Sequence, residues 1–258
     1  NSSNLAGYPN VDYNHVDVCS CDPPGFLDLD TIYYWRVDEV NDTNNDTWKG
    51  RVWKFTVADY IVIDDFEDYQ STADILANGW KDGSSPPWNG SYLFLQTVTP
   101  VRGKQSMRCL YDNTYNWGKG YFSEIESRNL DPNDWTAFDV KLLTLWFYGK
   151  SGNDANEQMY VGIEDSDGNY AEVRYPMADM DDIRVEDWQR WDMPLTYFSD
   201  SNFVAVPNDV NLARMEKMFI GFGIRGSMVP GGGGQTHWVH FDDIRLYPPT
   251  CRPDKGKT

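Results

Sequence analysis

The sequence predicts an all-β chain: an antiparallel β-sandwich preceded by a small N-terminal β segment. Three observations carry that expectation. Short stretches alternating large apolar with polar residues recur along the chain, separated by Gly, Asn and Asp clusters suited to tight turns. Helical periodicity is confined to one short candidate at 210–216. Two stretches nearly the whole chain apart, 61–69 and 238–247, alternate apolar residues with acids at a period near two, and each holds two adjacent aspartates. At 258 residues the chain accommodates one large domain and a small one, divided as 1–57, 58–250 and a tail at 251–258.

Taken in order, residues 1–25 are rich in Asn, Ser, Pro and Gly and read as loop. Residues 31–40 and 50–57 alternate on either side of a polar Asn/Asp/Thr turn, a hairpin signal. An opening strand at 61–69 leads into a stretch at 70–90 containing Trp80, two prolines and Trp88, whose Gly, Ser and Pro content argues against a helix. Strands are expected at 92–97, 105–111, 120–126, 140–148, 158–164, 170–175, 188–194, 218–224 and 238–247. The turn Asp165-Ser-Asp-Gly-Asn169 joins two of them as a hairpin. It lacks the bidentate Glu that completes an EF-hand loop, so it reads as a turn and not an ion site. The run at 231–234 reads as a flexible loop before the final strand.

Charge narrows the partners. With 40 acids against 22 bases the net charge is -18, a field that repels nucleic acid and anionic membrane and argues equally against a strongly anionic glycan, unless a local Arg or Lys cluster overrides it. Aromatic residues make up 15 %, with 11 Trp and 16 Tyr, a surplus over core needs that suggests a sugar-stacking or protein-binding surface. Cys19, Cys21, Cys109 and Cys251 form no C-x-x-C pair and are accompanied by only 3 His, which disfavours zinc. A bridge between Cys109 and Cys251 is conceivable, but spacing does not establish pairing. No long apolar run and no signal peptide are evident, and the first residue is not Met. The expectation is a piece of a longer secreted or cell-surface protein with neighbouring domains.

The two acidic stretches share an oddity explained economically if they meet around a hard cation that neutralises Asp65, Glu67 and Asp242. A first strand ending in Phe-Glu-Asp-Tyr and a closing strand reading Phe-Asp-Asp-Ile-Arg-Leu resemble the β-jelly-roll carbohydrate-binding modules of bacterial polysaccharide-degrading enzymes. The resemblance covers about residues 60–250 and implies that the two strands lie side by side and hold a structural calcium. Its ligands would be Asp65, Glu67 and Asp242, with carbonyls near Gly103 and Lys104 completing the shell. The N-terminal pair, Tyr-Tyr-Trp-Arg-Val followed by Trp-x-Phe, resembles the last two strands of a fibronectin type III domain, although 57 residues fall short of the ~100 of a whole sandwich.

Binding has better support than catalysis. Glu164, Asp165 and Glu172 around one hairpin, and Glu124 with Glu126 on another strand, are candidate carboxylate pairs, but abundance of acids removes the specificity of any pair. His237 and His240 read as sheet residues and not as lyase bases, and no nucleophile elbow is present. Sugar rings stack on aromatic faces while their hydroxyls take planar polar partners. Tyr115, Trp117 and Tyr121 supply such groups in one loop and Trp88 in another. Alternation turns Tyr160 and Glu164 to one face of their strand, with Arg174 in phase with Glu172 and Tyr170 on the next. It also turns Trp146 and Tyr148 outward, while Trp135, Trp188 and Trp191 read as core or edge packing. The expected function is a non-catalytic module anchoring a protein to a polysaccharide. The alternatives are a small jelly-roll hydrolase or lyase, and a structural or adhesive domain of a bacterial surface protein.

Overall fold

In a computed structural model, the structure describes residues 27–249 except 42, 45, 98, 99, 115–119, 129 and 199–208. The chain divides into two compact units, Asn1–Val57 and Ala58–Thr258. The first contains β1 (Ile32–Trp35), β2 (Glu39–Val40), β3 (Thr47–Trp48) and β4 (Trp53–Thr56). Strands β1 and β4 pair antiparallel, with Trp35 opposite Trp53 and Tyr33 opposite Phe55, and β2 pairs β3. The continuous strand expected at 31–40 is thus broken, where Arg36 pairs with Asp38. Trp35 and Trp53 stack at 6.0 Å yet stay half exposed. Two strands have too little apolar area to bury both faces.

The second unit opens with β5 (Ile61–Asp64), helix α1 (Thr72–Asn78), β6 (Trp80–Lys81), β7 (Ser91–Gln96), β8 (Ser106–Asp112) and β9 (Phe122–Ser127). It continues with β10 (Leu142–Tyr148), β11 (Met159–Asp165), β12 (Tyr170–Arg174), β13 (Trp188–Pro194), β14 (Met215–Gly223) and β15 (Gly233–Tyr247). Two antiparallel sheets form a sandwich. The six-stranded sheet runs β13-β10-β15-β8-β7 with β5 also on β15, and the five-stranded sheet runs β12-β11-β14-β9-β6. Period-two alternation turns Met107, Leu145, Val239 and Phe241 of one sheet and Ile125, Val161, Ile220 and Phe222 of the other into a buried core. Tyr111 stacks on Phe222 at 4.2 Å and Tyr175 meets Trp191 edge-on at 5.1 Å, joining the two inner faces. Truncating a ring such as Phe222 would cost about 3–5 kcal/mol.

Three local expectations are corrected. The opening strand ends at Asp64, because Phe66 adopts a left-handed φ of 60° and its ring turns into the core against Trp80. The stretch after it does contain a helix: Ser71 caps α1 by accepting from Asp74 N–H, and Ile75 is buried, so the Gly/Ser/Pro loop begins only beyond it. At 210–216 there is only a tight turn at Leu212–Arg214 before β14 begins at Met215. The hairpin turn between β11 and β12 is as expected, with Gly168 at φ 82°. Asp165 accepts from Asp167, Asn169 and Asn211, which hold its carboxyl down at about 2 against the cost of burial. Cys109 is a buried free thiol, raised by its apolar surroundings, while Cys19, Cys21 and Cys251 lie outside the described residues.

Candidate functional site

The first and last strands of the sandwich are neighbours. One edge of β15 pairs with β8 over Trp238–Phe241 and then with β5 over Ile244–Leu246. The change of partner falls at Asp243, whose φ is 51° and where the register also slips against β10. The acids therefore sit at a bulge, where the ladder leaves room for side chains to reach a covering loop. Asp242 accepts from the N–H groups of Val101, Arg102 and Asp243, and Glu67 from those of Lys104 and Gln105. Asp243 pairs with Arg102 and Arg245. Asp65 accepts from Glu67 N–H, and burial raises the carboxyl of Asp243, with a smaller addition from the Asp65 charge. Burial, reinforced by Asp243, pushes Asp242 up to about 7.

Asp65, Glu67, Gly103, Lys104 and Asp242 are thus gathered at one corner, around the segment at 101–105. The donors suit calcium in kind, being hard oxygens with excess negative charge. Their arrangement is different from a cage: among the described residues no three acidic, His or Cys side chains converge, because Glu67 and Asp242 spend their oxygens on loop amides. Asp64, absent from the expected set, is instead a node of the core. It accepts from Phe66 N–H, the Tyr69 hydroxyl and Trp80 Nε1, and burial still raises its carboxyl.

The outer face of the five-stranded sheet collects a second group of charges. The registers place Glu124 of β9 beside Gly221 of β14, Gly221 beside Tyr160 of β11, and Tyr160 beside Arg174 of β12. One step along lie Glu126, Phe219, Gly162 and Glu172, followed by Lys217, Glu164 and Tyr170. The two glycines form the floor. The Tyr160 ring covers Gly221, and an added Cβ at Gly162 would fall 2.6 Å from the Tyr170 hydroxyl. Tyr160 donates to Glu124 at 2.7 Å, Tyr170 donates to Glu172 at 2.8 Å, and Arg174 pairs with Glu172. Arg225, just past β14, lies 3.2 Å from Glu124 and 4.1 Å above the Tyr170 ring.

Burial pushes Glu124 up to about 7, against the pull of Arg225 and the Tyr160 hydroxyl. The same burial drives the tyrosine hydroxyls upward, so both remain protonated donors. Arg174, Arg225, Lys217, Glu126 and Glu164 stay part-exposed and form the rim, Lys217 pairing with Glu164. On one side the face opens into a pocket lined by Lys81, Asp82, Pro87, Asn89, Glu124 and Glu126.

Of the expected binding residues, Tyr160, Glu164 and Arg174 share this face. Tyr160 is fully enclosed, so it orients Glu124 and offers no free ring surface. Trp88 is half exposed between the pocket-lining Pro87 and Asn89, and Tyr121 is anchored by its N–H to Ser227 just before β9. Tyr115 and Trp117 lie outside the described residues. Trp146 points outward but is only 8 % exposed. Trp135 and Trp191 are buried. Sequence reasoning put Glu172 in phase with Arg174, weighed Glu124 and Glu126 only as a carboxylate pair, and missed Arg225. The shared alternation of β9, β11 and β12 was the available signal for the acids. Arg225 follows the strand end and had none.

No protein-family model matches the chain, and no curated protein matches it. Among solved structures it is similar to an exo-β-agarase, with a TM-score of 0.49 and 14 % identity over 77 % of this chain and 26 % of that one. It is similar to a carbohydrate-binding module of the β-sandwich superfamily, with a TM-score of 0.43 and 11 % identity over 84 % of this chain and 74 % of the other. A third is the C-terminal family 22 carbohydrate-binding module of a Clostridium thermocellum protein, with a TM-score of 0.40 and 11 % identity over 75 % and 98 % of the two chains. The chain spans about a quarter of the length of the agarase.

Proposed function

We propose that this chain is a non-catalytic carbohydrate-binding module that anchors a secreted or cell-surface protein to a polysaccharide, with the outer face of the five-stranded sheet as its contact surface. One observation carries the reading. Part-exposed planar groups, Arg174, Arg225, Glu126 and Glu164, surround a rigid base of Glu124, Glu172, Tyr160 and Tyr170 whose hydrogen bonds are already satisfied. Such groups match neighbouring hydroxyls of a sugar two at a time, and a stiff sheet loses little entropy when they do. Trp88, Tyr121 and the loop bearing Tyr115 and Trp117 would add aromatic contact. The acidic corner would hold a structural calcium through Asp65, Glu67 and Asp242 once the loop amides yield. The first unit would be the end of a fibronectin-III-like domain in a longer chain. Among the described residues no helix is long and apolar enough to cross a membrane.

Affinity electrophoresis through gels containing neutral polysaccharides tests the reading. Retardation by at least one of them, weakened about tenfold by Arg225→Ala, is expected. Unaltered mobility in every gel overturns it. A second reading, glycoside hydrolysis, is favoured by Glu124 alone, since a carboxyl near 7 suits a general acid. New reducing ends, lost in Glu124→Gln, would establish it. Tyrosines held protonated do not suit a lyase base.

A further inference from the structure

The outer face of the six-stranded sheet carries a different chemistry. Its registers align one residue from each of five strands in a straight row: Phe94 of β7 opposite Arg108 of β8, Arg108 opposite His240 of β15, His240 opposite Tyr148 of β10, and Tyr148 opposite Trp188 of β13. Four inter-strand steps of ~4.8 Å make the row about 19 Å long. Each of these side chains points away from the core, since Leu93, Cys109, Val239 and Phe147, their chain neighbours, are buried between the sheets. The rings meet edge to face: Tyr148 is 5.7 Å from Trp188 and 5.9 Å from His240, and Trp238 is 4.6 Å from His240. Outside His240, the row is part-exposed.

Two cations lie on this aromatic strip outside any ion pair of the described residues. Arg108 sits 5.2 Å over the Phe94 ring, and its Nε is buried with no hydrogen-bond partner. No described carboxylate makes an ion pair with it. Lys150 lies 5.5 Å over the Trp238 ring, also outside any ion pair of the described residues. Glu186 accepts from the N–H and hydroxyl of Ser151, which lower its carboxyl together with a smaller contribution from the Lys150 charge. In a chain with 40 acids against 22 bases, a part-exposed guanidinium outside any ion pair of the described residues can turn its outer nitrogens to an external anion.

We propose that this row is a second glycan-binding surface, selective for an anionic polysaccharide whose carboxylate or sulfate groups pair with Arg108 and Lys150 while its rings pack along Tyr148, Trp188 and Trp238. The arrangement of planar cation over aromatic ring leaves the outer edge of the guanidinium for the anion and the flanking rings for the sugar's C–H face. This surface lies on the sheet opposite to the one proposed above, so its ligand and its failure are separable from that reading.

The test is affinity electrophoresis of the whole chain through three gels: polygalacturonate, a sulfated galactan, and neutral dextran as the uncharged reference. Retardation in at least one anionic gel, weakened by rising NaCl, is expected. Arg108→Met and Lys150→Ala should each reduce that affinity about tenfold, whereas Arg214→Ala, which removes an exposed ion pair with Asp167 away from both faces, should leave it unchanged. The two anionic gels distinguish carboxylate from sulfate recognition. If Arg108→Met fails to fold by its melting transition, Lys150→Ala and Trp188→Ala carry the test. Absence of retardation in both anionic gels, or retardation indifferent to these substitutions, overturns the proposal.

Discussion

The sandwich holds two concentrations of carboxylates that solve the same problem in opposite ways. At the corner where β5 and β8 share β15, Glu67 and Asp242 are satisfied by backbone N–H groups of the segment at 101–105. On the outer face of the five-stranded sheet, Glu124 and Glu172 are satisfied by the side chains of Tyr160, Tyr170, Arg174 and Arg225. An amide is fixed by the chain that carries it, so the first solution ties distant segments together. A part-exposed arginine tip swings on rotatable bonds, so at Arg174 and Arg225 the second solution tolerates exchange of partners with a ligand. The corner belongs to the stability of the fold, and the face is the proposed contact surface.

Substitutions can break this contrast. Asp242→Ala should have the largest effect, leaving three amide donors unpartnered beneath a loop, at a cost of about 3–4 kcal/mol in urea-induced unfolding. A loss under 1 kcal/mol would mean that the loop is not held there. Next comes calcium: if the corner binds it, saturation at about 100 times Kd adds ~2.7 kcal/mol, and EGTA should lower the melting temperature by about 5–10 °C. An identical transition with and without chelator removes the ion from the account.

The pH dependence of Glu124 sharpens the contrast further. Its folded carboxyl is raised from 4.5 to about 7, so the folded state holds the proton more tightly than the unfolded chain. The resulting stabilisation is complete below 4.5 and is lost as pH rises through about 7. Relative to Glu124→Gln, the wild type should therefore lose on the order of 2–3 kcal/mol between pH 4.5 and 8. A constant difference across that window would place Glu124 in contact with water. The smallest effect on stability is expected at the rim, where Arg225→Ala should change unfolding by about 1 kcal/mol or less. That same variant should weaken glycan binding, and a reversed balance would make the face structural.

The strand succession was legible because each strand's alternation depends on residues two apart. This holds from Ser91–Gln96 to the last strand over 238–247, and it turned Tyr160, Glu164 and Arg174 to a shared face without reference to partners; that last strand begins earlier, at Gly233, inside the run read as a loop. Helix α1 escaped because the Gly/Ser/Pro content was averaged over 70–90, while its cap and buried Ile75 occupy only the first part. Asp64 escaped for another reason: its most distant donor, Trp80 Nε1, lies 16 residues along the chain. Arg225 stands beyond Gly223, where the strand's periodicity has stopped.

What the sequence determined by itself is the class of fold, the alternation of faces, and the expectation that 61–69 and 238–247 meet. Only tertiary structure decided that β15 changes partners at Asp243, that loop amides answer the corner acids, and that Arg225 folds back over Glu124 and Tyr170. The physical reason is range. Periodicity is a property of adjacent residues, whereas the cost of burying a charge and the donor that offsets it are set by segments as far as 141 residues away.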